Sequence, residues 1–144
     1  MQQLFRRFGV LASDTTPCGT PLSPAHAHAL MLLLTHSELS QQELGAELGI
    51  DKSNVARLCG RMVDMGHAAQ VQSETDGRSR RVSLTAAGKR LAREVDAASA
   101  SRFAALMRGL PGEKQQRVVD SLEHLVAAIG SLPDSQRTTA SRTT

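Results

Sequence analysis

The sequence predicts a mainly α fold with one small β-hairpin, and three observations predict it. Apolar residues recur at three- and four-residue spacing over most of the chain, the mark of amphipathic helices. Capping and breaking residues (Ser23-Pro24, Ser40 with Glu43, Gly49, Asp51, Gly66 and the Gly109–Gly112 break) divide that pattern into separate helices. Only between His67 and Leu84 does it give way to short, partly alternating segments around a polar tip that contains Gly. With 144 residues the chain has room for one domain with a real core.

At the N-terminus Leu4, Phe5, Phe8 and Leu11 share one helical face, with Arg6 and Arg7 opposite. Such a short helix has little to bury against by itself and is expected to dock elsewhere, a second subunit being one candidate. Pro17, Gly19 and Pro21 then break any helix. Ser23 as cap and Pro24 at the first helical position open the next helix. Its Ala, Leu, Met and His content through Thr35 predicts burial on most sides.

Ser40 and Glu43 have the spacing of a capping box, in which each side chain satisfies the other residue's free backbone N–H. Leu44 and Leu48 fall on one face of the helix that follows, and Gly49 stands where a helix commonly ends left-handed. Asp51 is placed to cap a second helix, with Val55, Leu58 and Met62 inward and Lys52, Arg57 and Arg61 outward. Gly45 is small where the two helices must cross, and Ile50 is apolar in the turn. This is the pattern of a helix-turn-helix, whose second helix enters the DNA major groove. A plain helical hairpin would need the apolar faces but not the small residue, the turn glycine and the basic outer face together.

His67–Ser73 and Arg80–Leu84 read as the two strands of a hairpin, with Glu74–Ser79 as its tip. A helix-turn-helix followed by such a hairpin is a winged helix. Thr85 then caps a long helix to about Gly109, with Leu91, Val95, Phe103, Leu106 and Met107 inside. Glu113–Ile129 forms a last helix with Val118, Leu122, Leu125, Val126 and Ile129 on one stripe. The Ser/Thr-rich remainder is expected to be disordered.

Charge narrows the partner. The net charge is only +3, but Lys52 to Arg93 holds nine basic and three acidic residues, the footprint of a polyanionic ligand. With three Phe and no Trp or Tyr, the chain lacks the aromatic platforms on which single-stranded nucleic acids stack. Duplex DNA is therefore the expected partner. Cys18 and Cys59 have neither CxxC nor metal-ligand spacing, which fits a reducing cytosol. The longest apolar run, Ala29–Leu34, is far short of a membrane span, and the N-terminal apolar stretch is too short for a secretion signal. A cytoplasmic location with no membrane partner follows. No Ser/His/Asp set, phosphate loop or carboxylate pair stands out, so no enzyme activity is expected. His26 and His28, two residues apart, share no helical face and make a poor metal pair, and no metal or cofactor is expected.

Asp76-x-Arg78-x-x-x-Val82-x-Leu84-Thr85-x-x-Gly88 resembles the wing signature of the MarR family of bacterial and archaeal transcription regulators. The capped helix pair and the Ser23-Pro24 opening fit that family in register, so the resemblance covers about Ser23 to Arg93. It implies a winged helix-turn-helix with N- and C-terminal dimerisation helices, acting as a homodimer on a pseudo-palindromic operator. Its divisions would be 1–22, an N-terminal dimerisation helix and loop; 23–88, the DNA-binding lobe; 89–130, C-terminal dimerisation helices; and 131–144, the tail. Carried over by position, the resemblance makes Ser53, Asn54 and Arg57 face bases or phosphates and makes Arg78, steadied by Asp76, enter the minor groove. Lys52 and Arg61 join them from the charge pattern. Of the alternating pair Arg80 and Arg81, Arg80 is expected on DNA and Arg81 in support of the fold. Leu4, Phe5, Phe8, Leu11, Phe103, Leu106, Leu122, Leu125 and Ile129 become the dimerisation set. Three features depart from the family pattern, the first being a short segment before Ser23. Gly60 lies inside the reader helix at a cost of about 1 kcal/mol against Ala, and His67-Ala68 replace two larger apolar residues.

The family reading makes the chain a repressor released by a small-molecule effector or an oxidant. Cys18, in an irregular loop, is the candidate redox residue, with an inert small residue as the commoner use of such a cysteine. His28 is a candidate effector contact, with a structural histidine as the commoner role. An effector-independent activator or architectural DNA binder, and a winged helix that binds protein, stay open.

Overall fold

Capping starts the helices where the side chains require. The computed structural model describes residues 15–72 and 80–132, and the expectations for Leu4, Phe5, Phe8, Leu11, Asp76, Arg78 and the tail beyond residue 132 lie outside them. Helix α1 spans Pro24–His36, with the Ser23 hydroxyl accepting from the His26 N–H. Helix α2 spans Gln41–Leu48, and its capping box is formed: the Glu43 N–H donates to Ser40 Oγ at 3.1 Å and the Ser40 N–H to Glu43 Oε2 at 2.7 Å. Gly49 ends α2 at φ 65°, in the left-handed region that glycine occupies without a Cβ penalty. Helix α3 spans Lys52–Asp64 behind its Asp51 cap.

A built Cβ on Gly45 would lie 3.3 Å from the Ile50 carbonyl and 3.4 Å from Val55 Cγ1, so a side chain at this crossing of α2 and α3 would require its neighbours to shift by a few tenths of an ångström. Inward from that crossing Leu44, Val55, Leu58, Cys59 and Met62 pack with Leu30 and Leu33 of α1 into one core. Burying a side chain such as Leu58 contributes about 1.5–3 kcal/mol. Helix α1 is covered along most of its surface, as its composition predicts, with His28 on the exposed side.

The sheet has three strands where the sequence predicts two. Strand β1, Glu38–Ser40, pairs antiparallel with β3, Arg80–Leu84, which pairs on its other side with β2, Ala68–Gln72. The registers are Leu39 to Val82 and Gln70 to Val82, placing fully buried Val82 at the centre. Three residues are too few to show a period, and β1 is a strand because β3 lies beside it. Ser37 makes the turn into it at φ 64°, the one positive φ outside glycine among the described residues.

The base of the hairpin is tied to the end of α3. Gly66, at φ 73°, turns the chain out of the helix. The Thr85 hydroxyl donates to the Gly66 carbonyl at 2.6 Å and accepts from the Gly88 N–H at 3.0 Å, while the Thr85 N–H donates to the His67 carbonyl. Gly88 opens helix α4, Ala86–Arg108, directly against that turn. A Cβ there would stand 1.8 Å from the His67 carbonyl oxygen, so only glycine fits.

The chain forms two compact units, one through Ala100 and one from Ser101 onward. The first contains the core just described, joined by Ala92 and Val95 of α4. The second holds the last turns of α4 and helix α5, Gly112–Gly130, none of whose residues is buried. Phe103, Leu106, Leu122, Leu125, Val126 and Ile129 all lie exposed there.

Candidate nucleic-acid interface

Because Val55, Leu58, Cys59 and Met62 face the core, helical geometry turns the other side of α3 to solvent. Lys52, Ser53, Arg57 and Arg61 are all exposed on it, with Asn54 half-buried at the edge. Among the described residues Gly60 has nothing within 4 Å of where a Cβ would stand, so no packing among them calls for glycine at that point of the helix.

The N-terminal turn of α3 carries a continuous side-chain network. Asp51 Oδ1 accepts from the Asn54 N–H at 2.8 Å and from the Ser53 hydroxyl at 2.7 Å. Asp51 Oδ2 accepts from Asn54 Nδ2 at 2.6 Å, and Asn54 Oδ1 accepts from Arg57 Nη2. The Asn54 N–H, then the Ser53 hydroxyl and the Asn54 amide, hold the Asp51 carboxyl below its ordinary range, so it stays charged. The sequence marks Asp51 as a cap. Its second role, organising the side chains that follow, comes from the i, i+3 spacing of Asp51, Asn54 and Arg57 on one face.

On the sheet, Arg81 pairs with Glu38 across β1 and β3, while Arg80 stands exposed at the start of β3. Arg81 supports the strand that the sequence reading lacked.

Two further groups lie away from that face. The Cys18 Sγ lies 2.9 Å from Thr16 Oγ1, 3.5 Å from Thr20 Oγ1 and 3.6 Å from Ser99 Oγ, which donates to it. Burial raises the thiol's pKa, but hydrogen bonds from Thr16, Thr20 and Ser99 outweigh it and bring the value to about 7. The other group is a histidine pair absent from the sequence reading. Buried His26 of α1 meets His67, in the turn between α3 and β2, Nε2 to Nδ1 at 3.2 Å, with the rings edge to face. Burial first, then the nearby His67 and Arg61, lower the His26 pKa to about 4. The substitution of His67 for a larger apolar residue was the only sign of this pair in the sequence. The expected effector residue His28 is exposed and takes no part in it.

Among the described residues no group of three or more His, Cys, Asp or Glu is placed to hold a metal ion. No helix among them is long and apolar enough to cross a membrane.

With this geometry in place, residues 20–79 match the model of the MarR family. No curated protein matches the chain. Solved structures similar to it include the PcaV transcriptional regulator from Streptomyces coelicolor, at 21% identity, 91% of this chain and 93% of that one, with a TM-score of 0.69. PcaV in complex with its natural ligand aligns at 24% identity over 88% and 86%, TM-score 0.64. FabT from Streptococcus pneumoniae in complex with DNA aligns at 18% identity over 78% of each chain, TM-score 0.70. A MarR transcriptional regulator from Methanosarcina mazei aligns at 24% identity over 88% and 82%, TM-score 0.67. At these identities the likeness to each speaks for the fold alone. The matched residues span the helix pair and the first strand of the hairpin, and the solved structures share the fold beyond them.

Proposed function

We propose that the chain binds double-stranded DNA as a homodimer at a pseudo-palindromic operator and represses transcription until a small molecule releases it. The observation that carries the reading is the outward face of α3, where Lys52, Ser53, Arg57 and Arg61 are exposed on a helix whose other side is core. The N-terminal turn of such a helix is the part that reaches base edges in the major groove. Arg80 continues the basic face onto the hairpin, and Asp76 and Arg78 extend it on the sequence reading. The complexes of FabT with DNA and of PcaV with its natural ligand support both halves of the proposal by analogy of fold.

Two reader helices must match half-sites about one DNA turn apart, so a ligand that binds one spacing of the lobes better than another controls affinity. The exposed apolar residues Phe103, Leu106, Leu122, Leu125 and Ile129 supply the surface for pairing. The test is titration of the duplex upstream of the gene with wild type and with Arg57→Ala/Arg61→Ala. The double variant should bind more weakly, with a salt slope reduced by about 2. Equal affinity and equal slope would sink the assignment.

A second trigger, oxidation at Cys18, is favoured by its three hydroxyl neighbours and its lowered pKa. Peroxide-induced release that persists in Cys18→Ser would remove it.

A further inference from the structure

We infer, on the DNA-binding reading above, that Gly60 is where the backbone of α3 comes closest to DNA, so that the helix lies along the major groove and does not enter by its tip. Glycine inside a helix is destabilising relative to alanine, because it loses the most backbone freedom on folding. A helix that keeps one has a reason to do so. The other glycines within helices of the first unit find theirs inside the chain: a Cβ on Gly45 would press on Ile50 and Val55, and one on Gly88 would strike the His67 carbonyl. Gly60 differs from both. It is absent from the residues with positive φ, and among the described residues nothing lies within 4 Å of where its Cβ would stand. What remains is the other common use of glycine, the close approach of a backbone to a ligand.

The helix decides where that Cβ would point. At 3.6 residues per turn, the direction opposite Val55, Leu58, Cys59 and Met62 runs between Ser53, Arg57, Gly60 and Asp64. Gly60 therefore stands near the middle of the outward face, with exposed Arg57 and Arg61 on either side of it in the chain. A helix with its side chains is about 10–12 Å across and the major groove about 12 Å wide, so clearance is small and one carbon on the facing side changes how deep the helix sits. Position along the axis separates the two modes of entry. At 1.5 Å per residue Gly60 lies about 12 Å beyond Lys52. A helix that presented its first turn alone would hold Gly60 that far from the base edges, and a Cβ there would meet nothing. Asp64, exposed one turn later, closes the contact, since a carboxylate repels phosphate.

The experiment takes the full chain as wild type, Gly60→Ala and Gly60→Gln. Each is melted without DNA, then titrated with the duplex that wild type enriches from a random double-stranded pool. Alanine and glutamine form helices better than glycine, so both midpoints should rise, by about 2–4 °C. Affinity should fall in the same two variants. For alanine the loss should be on the order of tenfold, the scale of one lost base contact, and for the longer glutamine it should be greater. No charge changes, so the salt slope should stay at the wild-type value. Higher stability with weaker binding is a combination that a glycine serving only the fold does not give. Wild-type affinity in Gly60→Gln would overturn the inference, while weakened binding in Arg57→Ala/Arg61→Ala would show that the DNA-binding reading stands. A lowered midpoint in Gly60→Ala would overturn it as well, because the chain's own packing would then require the glycine. If wild type enriches no duplex, the DNA-binding reading fails and this inference fails with it.

Discussion

Between Pro24 and Ala100 most large apolar residues of the helices are buried within the chain, Val63 at 39% exposure apart, whereas from Ser101 onward most are exposed. Leu30, Leu33, Leu44, Leu58, Met62 and Val82 are below 2% exposed, while Leu122, Leu125 and Ile129 are 43%, 44% and 50% exposed. Both regions have amphipathic helices of ordinary composition. They differ in what lies opposite the apolar stripe. In the first, α1, the sheet and the base of α4 close over α2 and α3. In the second, α5 has no buried residue, and Phe103, Val119, Leu122 and Val126 line an open groove of about 420 Å³. A contiguous apolar surface of this kind marks an interaction site. Among the described residues, one unit buries its large apolar side chains and the other leaves most of them exposed.

The contrast breaks most sharply at Gly88. In Gly88→Ala the new methyl meets backbone, not a movable side chain, 1.8 Å away. We expect a loss on the order of 3 kcal/mol or more, read as a lower urea midpoint. A wild-type midpoint would mean that the turn at His67 yields freely.

A matched pair of leucines measures the difference between the units directly. Leu58→Ala opens a cavity in the first unit and should cost about 3 kcal/mol. Leu125→Ala, at 44% exposure, should change unfolding of the isolated monomer by less than about 0.5 kcal/mol. It should instead raise the concentration needed for dimers in sedimentation. Equal destabilisation by the two would erase the distinction.

Acid should act on the first unit through the histidine pair. His26 is lowered from 6.5 to about 4 by burial, then by His67 and Arg61, so the unfolded chain binds its proton first as pH falls. Above pH 6.5 the residue is neutral in both states. Between 6.5 and 4 the unfolded state gains protons that the fold refuses, and stability falls on the order of 2–3 kcal/mol. The slope contributed by this group ends below about pH 4. Urea titrations of wild type and His26→Asn across that window should differ in slope, and parallel curves would refute the assignment. A smaller effect than that of His26 belongs to the cap of α2. Ser40→Ala removes the acceptor for the Glu43 N–H and should cost about 1 kcal/mol.

What was legible in the sequence was local. Ser23-Pro24, Ser40 with Glu43, Gly49, Asp51 and Gly66 act within one turn of where they stand, so their residue types locate helix ends without knowledge of the fold. The basic face of α3 follows as well, because a single helical period places Lys52, Arg57 and Arg61 opposite Val55, Leu58 and Met62. Contacts across long separations were not legible. β1 exists by pairing with residues some forty positions later, His26 meets His67 across 41, and Cys18 meets Ser99 across 81. The bond between Asn54 and Arg57 spans three residues and was still hidden, since spacing gives proximity but not which end of an amide points where. Gly88 shows the same division: its place in the hairpin signature was readable, but the reason glycine is required is a carbonyl brought against it by folding. Periodicity and capping are properties of a few consecutive residues and belong to the sequence. Close approach, strand pairing and hydrogen-bond direction depend on atoms that meet only once the chain has folded.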